Sequence, residues 1–433
     1  MSAVDDVALL LRRCGFGGTA SEISTLAGGS FAAAVDHVLD ISQAPADVAP
    51  PELSDPAKGD WERWVATTQW WLDRMATTAT PLVEKMSLFW HGHFVSGNDK
   101  VSMAELYQQN ALFRSAGLGN FRTLCQQMAL QPAMLHYLDN DSNVKGSPNL
   151  NFARELMELF MLGVGHYTEA DILASARAWT GHGVNETTVT YEFHVAQHDN
   201  ANKTFMGVTQ NWNGPQIIDF ICTDPATRLV MARFIAGELW AFFAAPGVAP
   251  SGVVNALADV FIANNLEIVP LLRALFLRPE LLSTASRQGL VRTPIEWVVA
   301  VMRATGLTAS QVNPQWYLDQ MGQRPFEPPN VSGWRPNGYW LSTTAETARA
   351  EFARNVAYHV QSDTTLLAAT SSKPVASAID DALVAFGVAT MPSPTRSALV
   401  NWLQAQRTIP YSGWAEQTNL VTLVALAPEL QLA

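Results

Sequence analysis

The chain of 433 residues carries 27 lysines and arginines against 39 aspartates and glutamates, a net charge of −12. With 48% hydrophobic and 15% charged residues it can bury a large core, which excludes disorder as its main state. No basic run offers a phosphate backbone or an anionic membrane surface a footprint, and no apolar span reaches the ~18 residues of a membrane helix. Cys14, Cys125 and Cys222 are far apart and odd in number, so no disulfide framework is expected. Asp5 and Asp6 stand where a signal peptide needs Lys or Arg, so no export signal is visible.

Helical periodicity dominates from the N-terminus onward. Stripes over Trp61–Met75, Phe121–Leu130, Phe152–Leu162, Arg228–Phe243, Ile268–Leu277, Ala345–Val360 and Ser397–Gln406 predict helices. Three starts carry capping boxes: Ser102 with Glu105, Thr168 with Asp171, and Thr293 with Glu296, the last with Pro294 at the first position and Gly306 as its stop. Val189, Tyr191, Phe193 and Val195 alternate with polar residues and predict a strand or hairpin arm near 186–197. Pro246, Gly247 and Pro250 form the best candidate linker. Residues 324–339 are too rich in Pro, Gly and Trp for helix or strand. The expected fold is mainly α, a main helical domain over 1–360 with a C-terminal helical lobe over 361–433, plus a minor β-hairpin and a long Trp/Pro-rich loop.

A phosphate loop, a GxSxG elbow and an HExxH helix are absent, so no nucleotide cofactor is expected. Cys125 lies on an amphipathic stripe and reads as core. The helix over 152–162 is apolar nearly all round yet carries Arg154, Glu155 and Glu158. Lone buried carboxylates are costly, so Glu155 and Glu158, three apart on one face, either bind a cation or pair with Arg154 and an arginine such as Arg177. His91 and His93 sit in Phe89-Trp90-His91-Gly92-His93-Phe94. They share a metal only if the chain leaves helical geometry at Gly92, since i and i+2 point ~200° apart on a helix. His198-Asp199 follows the strand-like arm, and His166 follows the carboxylate helix. Asp139-Asn140-Asp141-Ser142-Asn143 resembles an oxygen-ligand loop but lacks the Gly and Glu of a calcium hand. Asn330, Trp334 and Trp340, with Trp90, offer flat surfaces for a substrate.

These segments together resemble a bacterial family known as domain of unknown function 1800. The matching stretches include Leu10-Leu11-Arg12-Arg13-Cys14-Gly15-Phe16-Gly17, the Phe-Trp-His-x-His-Phe run at 89–94, Tyr137-Leu138-Asp139-Asn140, Ala153-Arg154-Glu155-Leu156-x-Glu158-Leu159, His198-Asp199 and Pro328-Pro329-Asn330-Val331-x-Gly333-Trp334. The family name implies no activity, and many members look secreted. Relatives often have His after Glu158-Leu159, where this chain has Phe160.

The functional expectation is a metal-dependent enzyme, an oxidoreductase by preference or a zinc-type hydrolase. Its iron, manganese, copper or zinc is held by His91, His93, Glu155, His198 and Asp199, with Arg154 and Glu158 catalytic. The alternative is a non-catalytic binding or scaffold protein using the Trp-rich loop. Expected partners are a small-molecule, peptide or saccharide substrate, with a protein partner open.

Overall fold

A computed structural model describes residues 2–42, 49, 51–53, 55, 57–334, 337–410 and 413–433. The three capping boxes form as read, and Gly306 ends its helix with φ at +71°. Each box satisfies otherwise orphaned N–H groups at a helix start, which fixes where the helix begins. Among the described residues 23 α-helices and two two-stranded sheets build the fold, which is therefore mainly α.

The predicted hairpin is real. His182–Asn185 pairs antiparallel with Thr190–Phe193, and His182 faces Phe193 across the register. A second hairpin, Lys203–Phe205 with Val208–Gln210, went unread because three-residue strands leave no period to detect. The 246–251 stretch is a loop between helices Pro225–Phe243 and Ser251–Ala263. Both feed one core, so it joins helices rather than domains.

Two apolar cores lie side by side. The first gathers Val7, Trp90, Phe121, Trp179, Leu239 and Leu272. The second joins Trp64 and Trp71 to Trp297, Phe352, Leu403 and Val424, so residues after 360 share a core with residues near 70. Trp297 Nε1–H donates to the Ala425 carbonyl at 3.1 Å, and the chain end pairs back at Val291 and Leu432.

The Trp/Pro-rich loop, of which 335 and 336 lie outside the described residues, folds over the end of the helix Pro81–His93. Trp64 Nε1–H donates to the Pro325 carbonyl at 2.8 Å, and the Asn98 N–H to the Phe326 carbonyl at 2.8 Å. Gly333 has φ at +71°, and a Cβ there would lie 2.6 Å from the Gly92 carbonyl oxygen. Only glycine lets this loop approach so closely, and that contact seats Trp334 above the helix.

Candidate functional site beneath the tryptophan loop

Pro81 stands at the first position of its helix, where its missing N–H costs nothing. The helix runs unbroken through His93, so Gly92 does not release the chain, contrary to what a shared metal at His91 and His93 requires. His91 points into the second core. Its Nε2 accepts the Phe326 N–H at 3.1 Å, among the rings of Trp71, Phe326 and Trp334. His93 points elsewhere, its Nε2–H donating to the Phe160 carbonyl at 3.0 Å. Burial pushes their pKa values down to about 3 and about 4, so both rings are neutral.

His198 donates from Nδ1 to the Thr180 carbonyl at 2.8 Å, while the Asp199 carboxylate accepts from Arg177 Nε at 2.7 Å. The carboxylate helix differs from expectation in its geometry. After Asn151–Glu155 it widens into a π-helix over Leu156–Met161, closed by the Leu162 N–H bonding five residues back to the Met157 carbonyl. This turn breaks the i,i+4 spacing, and Arg154 forks instead onto Glu169 at 3.0 and 2.9 Å. Glu158 accepts from the Tyr167 hydroxyl. Glu155 is half-buried; burial, then the charge of Glu158, raises its pKa. The salt pairs Arg154–Glu158 and Glu155–Arg177 are thus corrected, each arginine having another carboxylate.

The five residues read as ligands are not brought together. Among the described residues one group of three or more His, Cys, Asp or Glu side chains holds its ligand atoms within 4.8 Å of one another, and it is His136, Asp141 and Glu186. Phe160, in place of a histidine, is fully buried, and His166 is exposed on the following turn. Trp90 is also corrected as a substrate surface: it is fully buried and its Nε1–H donates to the Gly117 carbonyl at 2.8 Å. Asn330 is exposed and accepts the Ser332 N–H, closing its own turn.

Trp334 and Trp340 do meet a site. They line a cleft of about 300 Å³ with Arg13, Lys85, Glu238 and Glu296. Gly92 and His93 reach it from the helix below. At its wall Lys85 is ion-paired with Glu296, both nearly fully buried, and the ammonium lies 5.3 Å from the Phe242 ring centre. Burial lowers the Lys85 pKa. Burial also opposes the charge of Glu296, but Lys85 outweighs it and holds that carboxyl below its ordinary range. Glu238 meets water through the cleft while protein crowds around it, and this burial raises its pKa. Three donor atoms have no acceptor: the Trp340 indole N–H, on a residue 1% exposed, and Nε and Nη1 of Arg13, also 1% exposed, whose Nη2 donates to the Ser286 carbonyl at 2.5 Å. Sequence reasoning passed over Lys85, although it sits in the apolar run Leu82-Val83-Glu84-Lys85-Met86, the same signal that singled out Glu155. Glu296 was read as a cap. It is one, its Oε2 accepting the Thr293 N–H at 2.8 Å, and its other oxygen takes Lys85.

Three of the stretches on which the family resemblance rested reach this cleft. The family model described as protein of unknown function, DUF1800, matches residues 9–432. The chain belongs to this family. No curated protein and no solved structure matches it. In this DUF1800 chain the start motif contributes Arg13, the histidine motif Gly92 and His93, and the tryptophan motif Trp334 to one cleft.

Proposed function

We propose that this chain binds a small organic molecule, of monosaccharide or dipeptide size, in the cleft beneath the tryptophan loop. The observation carrying this reading is a set of buried N–H donors without acceptors, Trp340 Nε1 and the Nε and Nη1 of Arg13, whose Nη2 is held by the Ser286 carbonyl, in a concavity of about 300 Å³. Buried donors are satisfied in nearly all folded proteins, so an acceptor-bearing ligand is the natural complement. The Trp334 face supplies an apolar wall, and Glu238, its proton held more tightly than in water, supplies a group for acid–base chemistry on whatever is bound. Calorimetric titration with monosaccharides, dipeptides and small aromatic acids tests it. One class should bind saturably, and Trp334→Ala should weaken it at least ~10-fold. Binding by none of them, or binding that Trp334→Ala leaves unchanged, rejects the reading.

A second reading, a metal-dependent oxidoreductase or hydrolase, is favoured by one observation away from the cleft. His136 donates from Nδ1 to Glu105 at 2.6 Å and turns Nε2 toward Glu186 Oε1, 3.5 Å away, with Asp141 completing the group. A carboxylate on the far nitrogen is the usual way a ligating imidazole is oriented. Three ligands leave room for a water that zinc or a similar ion would activate. Metal analysis after reconstitution with zinc or manganese should find one ion per chain, lost in His136→Ala. No bound metal in the wild type sinks this reading and leaves the cleft untouched.

A further inference from the structure

Arg12 and its neighbour Arg13 serve different cavities. Arg13 faces the cleft, whereas Arg12 lines a second cavity of about 550 Å³ between the N-terminal helix Ala3–Cys14 and the C-terminal segments around 386–392 and 428–432. A close backbone approach shuts one side: a Cβ on Gly387, φ +64°, would lie 2.1 Å from the Gly18 carbonyl oxygen.

The lining is unusual for so acidic a chain. Four guanidiniums, of Arg12, Arg287, Arg292 and Arg303, share it with two carboxylates, Asp5 and Glu429. Half of these have partners. Arg287 pairs with Asp6, and Arg303 donates to the carbonyls of Ala76 at 3.2 Å and Thr78 at 3.1 Å. Asp5 takes the Thr390 hydroxyl at 2.6 Å. Arg12 and Arg292 have neither a bonded acceptor nor an ion pair. Arg292 is 3% exposed with Nη1 buried and unbonded, and Arg12 Nε is buried and unbonded too. Glu429 Oε2 is itself buried without a donor, so it does not close onto Arg12. Burial draws the Arg292 pKa down to about 9 and that of Arg12 to about 10, and the two charges oppose each other across the cavity. Asp5 and Glu429 attract Arg12, and Glu296 attracts Arg292, only through space; guanidinium N–H groups buried with no bonded counter-charge are costly. What would remove the cost is an anion.

We propose that this cavity binds a small organic phosphate, its dianionic head between Arg12 and Arg292 and its apolar body along Phe386, Val388 and Leu430. Arg287 and Arg303 are already ion-paired with Asp6 and Glu22, which leaves the Arg12 and Arg292 guanidiniums to meet the two negative charges of a phosphate monoester. The planar guanidinium fork matches tetrahedral oxygens two at a time. The apolar wall selects an organic ester over the bare ion.

Phenyl phosphate is the probe, titrated calorimetrically into the full chain at constant chloride, with inorganic phosphate and phthalate as the other arms. Phenyl phosphate should occupy a single saturable site and bind tighter than inorganic phosphate. Arg292→Gln should weaken it at least ~10-fold, and Arg292→Lys, which keeps the charge and loses the fork, by less. Arg12→Gln reads the same site where Arg292→Gln fails to fold. Trp334→Ala should leave phenyl phosphate binding unchanged, which separates this site from the cleft. A further readout has the opposite sign to a structural role: without ligand, Arg292→Gln should melt at or above the wild type, since an uncompensated charge is removed. No binding of phenyl phosphate to the wild type, equal affinity in the arginine variants, or preference for phthalate overturns the proposal.

Discussion

Replacing Glu84 by glutamine should destabilise the protein by about 3–5 kcal/mol, the range for breaking a buried ion pair from one side. Glu84 is 1% exposed and accepts from Trp71 Nε1 at 3.0 Å, Arg74 Nε at 2.6 Å, and Arg114 Nε and Nη2 at 2.7 and 3.0 Å. Glutamine keeps the volume and removes the charge, so the buried Arg74 guanidinium and the partly buried one of Arg114 would face each other across a neutral amide. Burial acts to raise the Glu84 pKa, but the bonds and charges of Arg114 and Arg74 outweigh it and hold it below the ordinary carboxylate range. The sign of the pH dependence follows. With its folded pKa depressed, Glu84 contributes fully above ~4.3 and loses that contribution as pH falls through the folded value. The deficit of Glu84→Gln in urea unfolding should therefore be largest near neutrality and shrink toward pH 3. Arg154→Gln is the control, because its pair with Glu169 lies at the surface, and it should unfold with the wild type. A Glu84→Gln protein that also unfolds with the wild type at pH 7 would show that the network contributes nothing.

What the sequence makes legible is local. Thr293 with Pro294 and Glu296 fixes a helix start because donor and acceptor lie three residues apart, and alternation over 189–195 points to a strand, which forms over its middle, Thr190–Phe193, because neighbouring side chains must face opposite ways. The π-turn at Leu156–Met161 leaves no periodic trace in the sequence, and with it the pairing of Arg154 with Glu169 rather than Glu158 is not legible there. The cleft depends on contacts far apart in the chain. Lys85 and Glu296 are separated by 211 positions, and nothing in either stretch names the other. The physical rule that pointed to Glu155, an ionisable group on an apolar helix, holds more strongly for Glu84 and Lys85. Those two are buried where Glu155 is half-exposed. The tryptophans were legible as a surface because Pro-rich irregular chain must be pinned by large side chains, and Trp334 and Trp340 both reach the cleft. Trp90 has the same composition around it and lies in the core, since helical phase rather than residue type decides which way it points.

Lys85→Met should cost about 3–5 kcal/mol, and adding Glu296→Gln should restore most of it. Lys85 is 2% exposed and Glu296 5% exposed, and their bond is the link between the helix Pro81–His93 and the helix Pro294–Thr305 at the cleft wall. Methionine fills the volume of the lysine stem but leaves the Glu296 carboxylate without its cation. The ammonium's attraction to the Phe16 and Phe242 rings is lost as well. Glutamine at 296 removes the stranded charge while its amide oxygen can still accept the Thr293 N–H, so the helix cap survives in the double variant. The order of stability should be wild type, then the double variant, then Lys85→Met, with the coupling energy read from a double-mutant cycle by urea unfolding. Because the folded double variant keeps Trp334, Trp340 and Arg13 in place, it also asks what the ion pair does for the cleft. A ligand that binds the wild type and not the folded double variant uses Lys85 or Glu296 directly. Equal affinity would assign the pair to holding the two helices together. A Lys85→Met protein as stable as the double variant would mean that Glu296 finds another partner or takes up a proton, and the pair would then carry no coupling at all.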